Sequence, residues 1–532
     1  MTGKKFNSWL PLLFAIVMVV GMVLGFKLRQ KTSRPGSIFS TQSNSSLQEI
    51  LDLVQLKYVD TVKVDSITDS AINEMLTQLD PHSVYIPAIT LQDVNEDLQG
   101  NFQGIGVEFN IFNDTVHVIS VMENGPSHKA GLQVGDRFLQ VNDSGVAGNN
   151  ITSLRIKKLL RGPGNSTVAI QVLRDNEKKQ FNIQRGIIPI PSVDAAYMAN
   201  KTTGFIHINK FSENTYEEFM KSLELLQQKG MTQLIVDLRD NGGGILQEAV
   251  DIADEFLDAN KLIVYTEGTH QKRQDYRCKR DGLFETGKLV LLIDEGSASA
   301  SEVLAGALQD WDRATIIGRR SFGKGLVQEQ YDLSNGAALR LTVSRYYTPL
   351  GRSIQKPYAK GEGKDVYRNE IADRYHNGSM AVADSNHITN GKVFKTQKGN
   401  IVYGGGGIMP DMFVPADTSL LTPLISKLYM HNTISNYAYR YYIQNKKAIS
   451  NQQNASTFFA TVTAQPDFWN GFVQFAATDS VNASAFTNKD KAFVSQRLTA
   501  LIARQQWRNN GFYEVLNNND PTVLKALDAL RK

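Results

Sequence analysis

Apolar residues recur at helical spacing in two stretches, Leu47, Ile50, Leu51, Val54 and Leu56, then Ile67, Ile72, Met75, Leu76 and Leu79, where Asp80-Pro81 stops the pattern. They predict a small helical module over 47–98. From Phe102 to about Gly186 the period shortens. Apolar runs at Gly106–Ile111, Val116–Val121, Arg137–Val141 and Thr167–Arg174, parted by Gly and Asn turns, predict a β-rich domain over 99–186 with one helix near Ile151–Leu160. Strands then alternate with helices, which predicts an α/β core over 187–416. In it Leu234–Leu238 leads through glycines to a helix near Leu246–Leu257, and Leu289–Ile293 leads through Gly296 to a helix near Ala300–Leu308. The polar stretch 358–400 reads as an inserted loop, with the core resuming at Ile401. Helical spacing returns near Phe493–Trp507 and Pro521–Leu530, so 417–532 is expected to be a helical accessory region.

Ahead of all this, Trp9–Phe26 is an uncharged apolar run of about the length that crosses a bilayer, preceded by Lys4 and Lys5. Lys27, Arg29, Lys31 and Arg34 follow it in place of an A-x-A cleavage site, which favours an uncleaved anchor over 1–30. Residues 31–46, rich in Ser, Thr and Gln, read as a solvated linker. The charge balance, 57 Lys plus Arg against 53 Asp plus Glu for a net +4, excludes an obligate electrostatic nucleic-acid binder. The single cysteine, Cys278, excludes an intrachain disulfide and a Cys-based zinc cluster. Its neighbours Arg277, Lys279 and Arg280 would lower its pKa, although no histidine stands near it in sequence and a plain loop residue is the simpler reading. None of the eight histidines forms an H-E-x-x-H pair, so a zincin is excluded too.

Three segments carry chemistry. In Asp294-Glu-Gly-Ser-Ala-Ser-Ala-Ser-Glu302 a strand end turns into a helix start, where free N–H groups and the positive dipole end would favour a serine whose acylation generates an oxyanion. Alternatively, Ser299 and Ser301 merely cap the helix, with Glu302 completing a capping box. In Ser321-Phe-Gly-Lys-Gly-Leu-Val-Gln328 a lysine stands between glycines after the strand Ala314–Ile317. Buried, its amine would be neutral and able to accept a serine proton; solvated, it is a turn residue. Gly318-Arg-Arg-Ser-Phe-Gly-Lys324 also fits the first part of a phosphate-binding loop, but Gly325 replaces the hydroxyl residue and a β-hairpin, not a helix, is predicted next. In Asp237-Leu-Arg-Asp-Asn-Gly-Gly-Gly244 consecutive glycines close another strand and allow exposed N–H groups to face an anion. In one α/β sheet these strand ends would converge at the carboxyl edge.

Together the segments 237–244, 295–310 and 323–328 resemble the C-terminal processing peptidases, serine proteases with a Ser/Lys dyad. The resemblance implies Ser299 as nucleophile, Lys324 as general base, Gln328 as the residue orienting the lysine, and the N–H groups of Gly243 and Ala300 as the oxyanion hole, with no metal or cofactor. It implies a crotonase-like α/β core and identifies 99–186 as a PDZ domain. There Gly104, Ile105, Gly106 and Val107 would hold a substrate's terminal carboxylate, and Arg161 would relay PDZ docking to the core. The expected partners are proteins or peptides with free apolar C-termini and a membrane through the N-terminal segment, with no nucleic acid and with room for an activating adaptor. The expected location is the cell inner membrane, single-pass, with the catalytic part facing the periplasm. The polar insertion departs from shorter relatives and bears on substrate access. Two rivals predict different behaviour: a catalytically silent PDZ scaffold would capture tails without cutting, and an acyl-CoA enzyme would bind thioesters and need no PDZ domain.

Overall fold

The computed structural model describes residue 15 and residues 17–22, 46–361, 364–376, 378, 380, 392–420, 422–482 and 485–532. The chain divides into two units, Met1–Ala71 and Ile72–Lys532. In the first, the helix Ser46–Lys57 fits the expected helical spacing and buries none of its residues. Most of Trp9–Phe26 lies outside the described residues, among which no helix is long and apolar enough to cross a membrane. The expected single-pass inner-membrane placement, with the catalytic part facing the periplasm, is corrected accordingly.

In the second unit a six-stranded sheet runs Val193–Met198, Thr203–Ile208, Gln233–Asp237, Lys288–Ile293, Thr315–Gly318 and Met412–Phe413; only its first pairing is antiparallel. Because side chains alternate along a strand, a sheet covered on both faces needs apolar residues at nearly every position, and Thr203–Ile208 is buried throughout. Ile206, Leu234, Val236 and Leu291 face one way, onto Phe219, Leu223, Ile252, Val303 and Leu304 of the helices Thr215–Gln228, Leu246–Asp254 and Ala300–Asp310. Phe205, Ile235, Val290 and Leu292 face the other way, onto Val523, Ala526 and Leu530 of the helix Pro521–Arg531. The last helix of the region expected to be accessory therefore supplies the second face of the core.

A second sheet places Ala338–Tyr347 beside Leu326–Asp332, Val84–Ile86 and Leu262–Glu267. The β-rich domain forms a sheet in the order Val107–Phe112, Thr115–Val121, Arg137–Val141, Thr167–Arg174, Glu177–Gln184, so Val107–Phe112 keeps one edge unpaired. The helix Ala88–Gln99, at the end of the stretch expected to be helical, runs between the Val84–Ile86 strand and the β-rich domain. The helix Lys364–His376 falls inside the polar stretch expected to be a loop; it has no apolar stripe and is held by charged side chains. Residues 362–363, 377, 379 and 381–391 of that stretch lie outside the described residues. Cys278 is buried, and burial together with the Asp254 carboxylate pushes its thiol up to about 12, opposite to the direction its basic neighbours suggested.

Candidate active site

The strand ends at Asp237, Ile293 and Gly318 open into three loops at the carboxyl edge of the core sheet, where open α/β sheets place their ligands. Hydrogen bonds tie the loops to one another. Asp294 Oδ1 accepts from the Asp240 N–H at 2.9 Å and the Gly296 N–H at 3.0 Å. Ala298 N donates to Asn241 O, and Phe322 N to Ser297 O, both at 2.9 Å.

These ties separate the three serines. Ser297 Oγ is buried and donates to Leu238 O at 2.7 Å; Ser301 Oγ is buried and donates to Asn241 O at 2.9 Å. Ser299, partly exposed at the cap of the Ala300–Asp310 helix, lines a cavity of 630 Å³. Its backbone sits at φ 57°, ψ −113°, a conformation that costs a non-glycine residue of order 1–3 kcal/mol and that clusters at active sites.

The same cavity is lined by Lys324, Gln328, Gly243 and Ala300. Lys324 Nζ donates to Gln328 Oε1 at 2.9 Å, and Gln328 Nε2 donates to His82 O at 2.6 Å. Burial, helped by the Arg340 guanidinium, holds the Lys324 amine below the usual lysine range; Glu302 and Asp80 pull the other way. Gly243 has φ 93°, and a Cβ there would come within 2.6 Å of Ala298 O, 2.7 Å of Ser299 Cβ and 2.9 Å of Ala300 N, so only glycine lets the two backbones approach. The Gly243 N–H donates to Asn241 Oδ1 at 2.9 Å.

Glu302 does more than the capping role expected of it. Its buried carboxylate accepts from the Ser299 N–H at 2.9 Å, from the Gly323 and Lys324 N–H groups at 2.8 Å each, and from Ser321 Oγ at 2.5 Å. One side chain thus fixes the main chain of both segments, while burial pushes its carboxyl up to about 7. The three-residue spacing from Ser299 was legible; the reach to the other loop was not.

Gly104, Ile105, Gly106 and Val107 lie apart from this cavity, at the start of the edge strand Val107–Phe112. Ile105 O accepts from the Ser127 N–H and Oγ at 3.0 and 2.6 Å, and Gly106 takes φ 73°. Arg161 is the C-cap of the helix Ser153–Leu160. Its guanidinium pairs with Asp93 at 2.6 Å and Glu96 at 3.0 Å on the Ala88–Gln99 helix and lies over the Phe102 ring. On that helix Asp97 pairs with Lys210 at 2.8 Å, and Asp97, Leu98 and Lys210 reach the Ser299 cavity.

Comparison with known proteins follows the same division of the chain. The profile of peptidase family S41 matches residues 202–363, a PDZ domain matches 103–184, and a family of unknown function (DUF8443) matches 424–508. A carboxy-terminal-processing protease of Bartonella bacilliformis is 35% identical over 314 residues, covering 58% of this chain and 71% of that protein. The chain belongs to this family of serine proteases. A probable CtpA-like serine protease of Staphylococcus epidermidis is 33% identical over 361 residues, covering 67% of this chain and 70% of its own. Among solved structures, a photosystem II D1 C-terminal processing protease is 29% identical with a TM-score of 0.34, covering 59% of this chain and 84% of that one. This family member is a serine-type protease of the S41 group carrying a PDZ domain.

Proposed function

We propose that the chain hydrolyses peptide bonds through a Ser299/Lys324 dyad and chooses its substrates by their C-terminal tails. The observation that carries this reading is the buried Lys324 amine, held by Gln328 in the cavity that also takes Ser299 from the strained start of its helix. Neutral Lys324 Nζ takes the Ser299 Oγ proton as that oxygen attacks the scissile carbonyl carbon. The C–N bond then breaks, the leaving amine takes the proton back from Lys324, and water hydrolyses the Ser299 ester. Ala300 and Gly243 donate to the oxyanion, with the carbonyl oxygen sharing the Gly243 N–H that Asn241 holds in the free enzyme.

The tail enters as an extra strand along the free edge of Val107–Phe112, its carboxylate on the Gly104–Val107 turn and its apolar side chain against the helix Ser153–Leu160. Arg161 relays docking through Asp93 and Glu96 to the Ala88–Gln99 helix that lines the cavity.

The test is cleavage of an unfolded protein with an apolar free C-terminus by the full chain and by Ser299→Ala and Lys324→Ala. Each variant, folded, is expected to lose about 10³-fold or more in kcat. A folded variant that cuts at the wild-type rate removes that residue from the reaction, and a wild-type chain that binds the tail without cutting returns the scaffold reading.

A further inference from the structure

The polar stretch 358–400 was expected to bear on substrate access, yet its helix Lys364–His376 touches the loop that carries the proposed base. Arg374 donates to three successive carbonyls of that loop, Arg320 O at 3.1 Å, Ser321 O at 2.9 Å and Phe322 O at 3.3 Å. Glu370 gathers three cations: Arg374 at 2.7 Å, Arg320 at 2.9 Å and Lys356 at 2.9 Å. Burial would raise its carboxyl, and Arg374 and Lys356 overcome that and hold it down to about 2. The Lys356 amine, itself buried, lies 4.1 Å from the Phe322 ring centre and 4.2 Å from that of Tyr367.

Tyr367 closes the circle. Its hydroxyl reaches Gly323 O at 3.4 Å, accepts from Gln355 Nε2 at 3.0 Å and lies 3.1 Å from His82 Nε2. Gln355 in turn accepts from the Gly325 N–H at 2.8 Å, and the His82 carbonyl is the group that fixes Gln328. One helix thus supports the main chain on both sides of Lys324 and the residue that anchors its hydrogen-bond partner, while Glu302 holds the same loop from the core side.

We propose that the Lys364–His376 helix is a positioning element for the general base, in which Tyr367, Glu370 and Arg374 fix the 319–325 loop and His82 and thereby the place of Lys324 Nζ. The inference rests on the dyad reading. Cutting these contacts lets the loop relax toward water, so the amine regains hydration and titrates closer to an ordinary lysine. The charged groups acting on it from the packed elements are Glu302 on the Ala300–Asp310 helix, Arg340 on Ala338–Tyr347, and Asp80 before Val84–Ile86. None of them is changed by the substitutions below.

The experiment measures kcat, KM and the pH profile of kcat for the full chain and for Arg374→Ala, Glu370→Gln, Tyr367→Phe and Arg374→Lys, with thermal unfolding as the check on folding and Lys324→Ala alongside. Arg374→Ala and Glu370→Gln are expected to lower kcat by about ten- to a hundredfold, as misplacement near 1 Å does, with KM within about twofold. The rising limb of the profile moves to higher pH, and Arg374→Lys recovers part of the rate. Folded Arg374→Ala and Glu370→Gln proteins with wild-type kcat and an unmoved limb overturn the proposal, as does a loss of rate that only tracks a loss of folded protein. If Lys324→Ala keeps wild-type turnover the dyad reading falls as well; if it is dead while the helix variants behave as wild type, this proposal alone falls.

Discussion

Lys324 is an ordinary ammonium in water, and its surroundings change that. Charging it inside the cavity forfeits hydration and adds repulsion from Arg340, against the attraction of Glu302 and Asp80. A base works only when neutral, so the account predicts a kcat that rises with pH and levels off below the ordinary lysine value of about 10.4. A rise that continues through that value in the wild-type chain contradicts it. Both Ser299 and Lys324 were legible as residue types at strand ends, each with a plain alternative. What separates Ser299 from Ser297 and Ser301 is three-dimensional: the hydroxyls of its neighbours are bound to Leu238 O and Asn241 O, carbonyls contributed by another loop.

At the level of elements, the Gly242–Gly244 turn and the start of the Ala300–Asp310 helix must approach more closely than side chains allow. Gly243→Ala would drive a methyl group to 2.6 Å from Ala298 O at a backbone φ of 93°. Loss of one oxyanion donor costs about 10²–10³ in kcat, and that is the expected effect in the folded variant; wild-type turnover would rule out the close approach as a requirement. The core strands and helices were readable because burial on both faces leaves nearly continuous apolar runs, as in Leu289–Ile293. The helix Lys364–His376 was not, because ion pairs and backbone hydrogen bonds from Glu370 and Arg374 hold it in place of an apolar face, and hydrophobic periodicity is blind to those.

For the second unit as a whole, segments distant in sequence are folded into one machine. The final helix completes the core through Val523, Ala526 and Leu530, and its cap Asp520 pairs at 2.8 Å with Arg239, which itself holds Asp237 at the end of a core strand. The preceding helical segment Asn488–Asn517, broken by a kink at Trp507 and Arg508, reaches the PDZ domain, where Arg508 donates to Ser120 Oγ at 2.6 Å and Arg504 pairs with Glu108 at 3.0 Å on the edge strand. Helical spacing gave these elements but not their partners, since a charged residue on a helix does not say which strand it will meet. The central claim is that Ser299 carries the acyl group, and the most direct measurement is to stop the full chain in acid during turnover of an activated acyl ester and map the acylated residue by peptide mass spectrometry. The account predicts one acyl group on the peptide containing Ser299, placed on that residue by fragmentation and absent from Ser299→Ala. Acylation of Ser297 or Ser301 instead, or turnover that persists in Ser299→Ala, would contradict it.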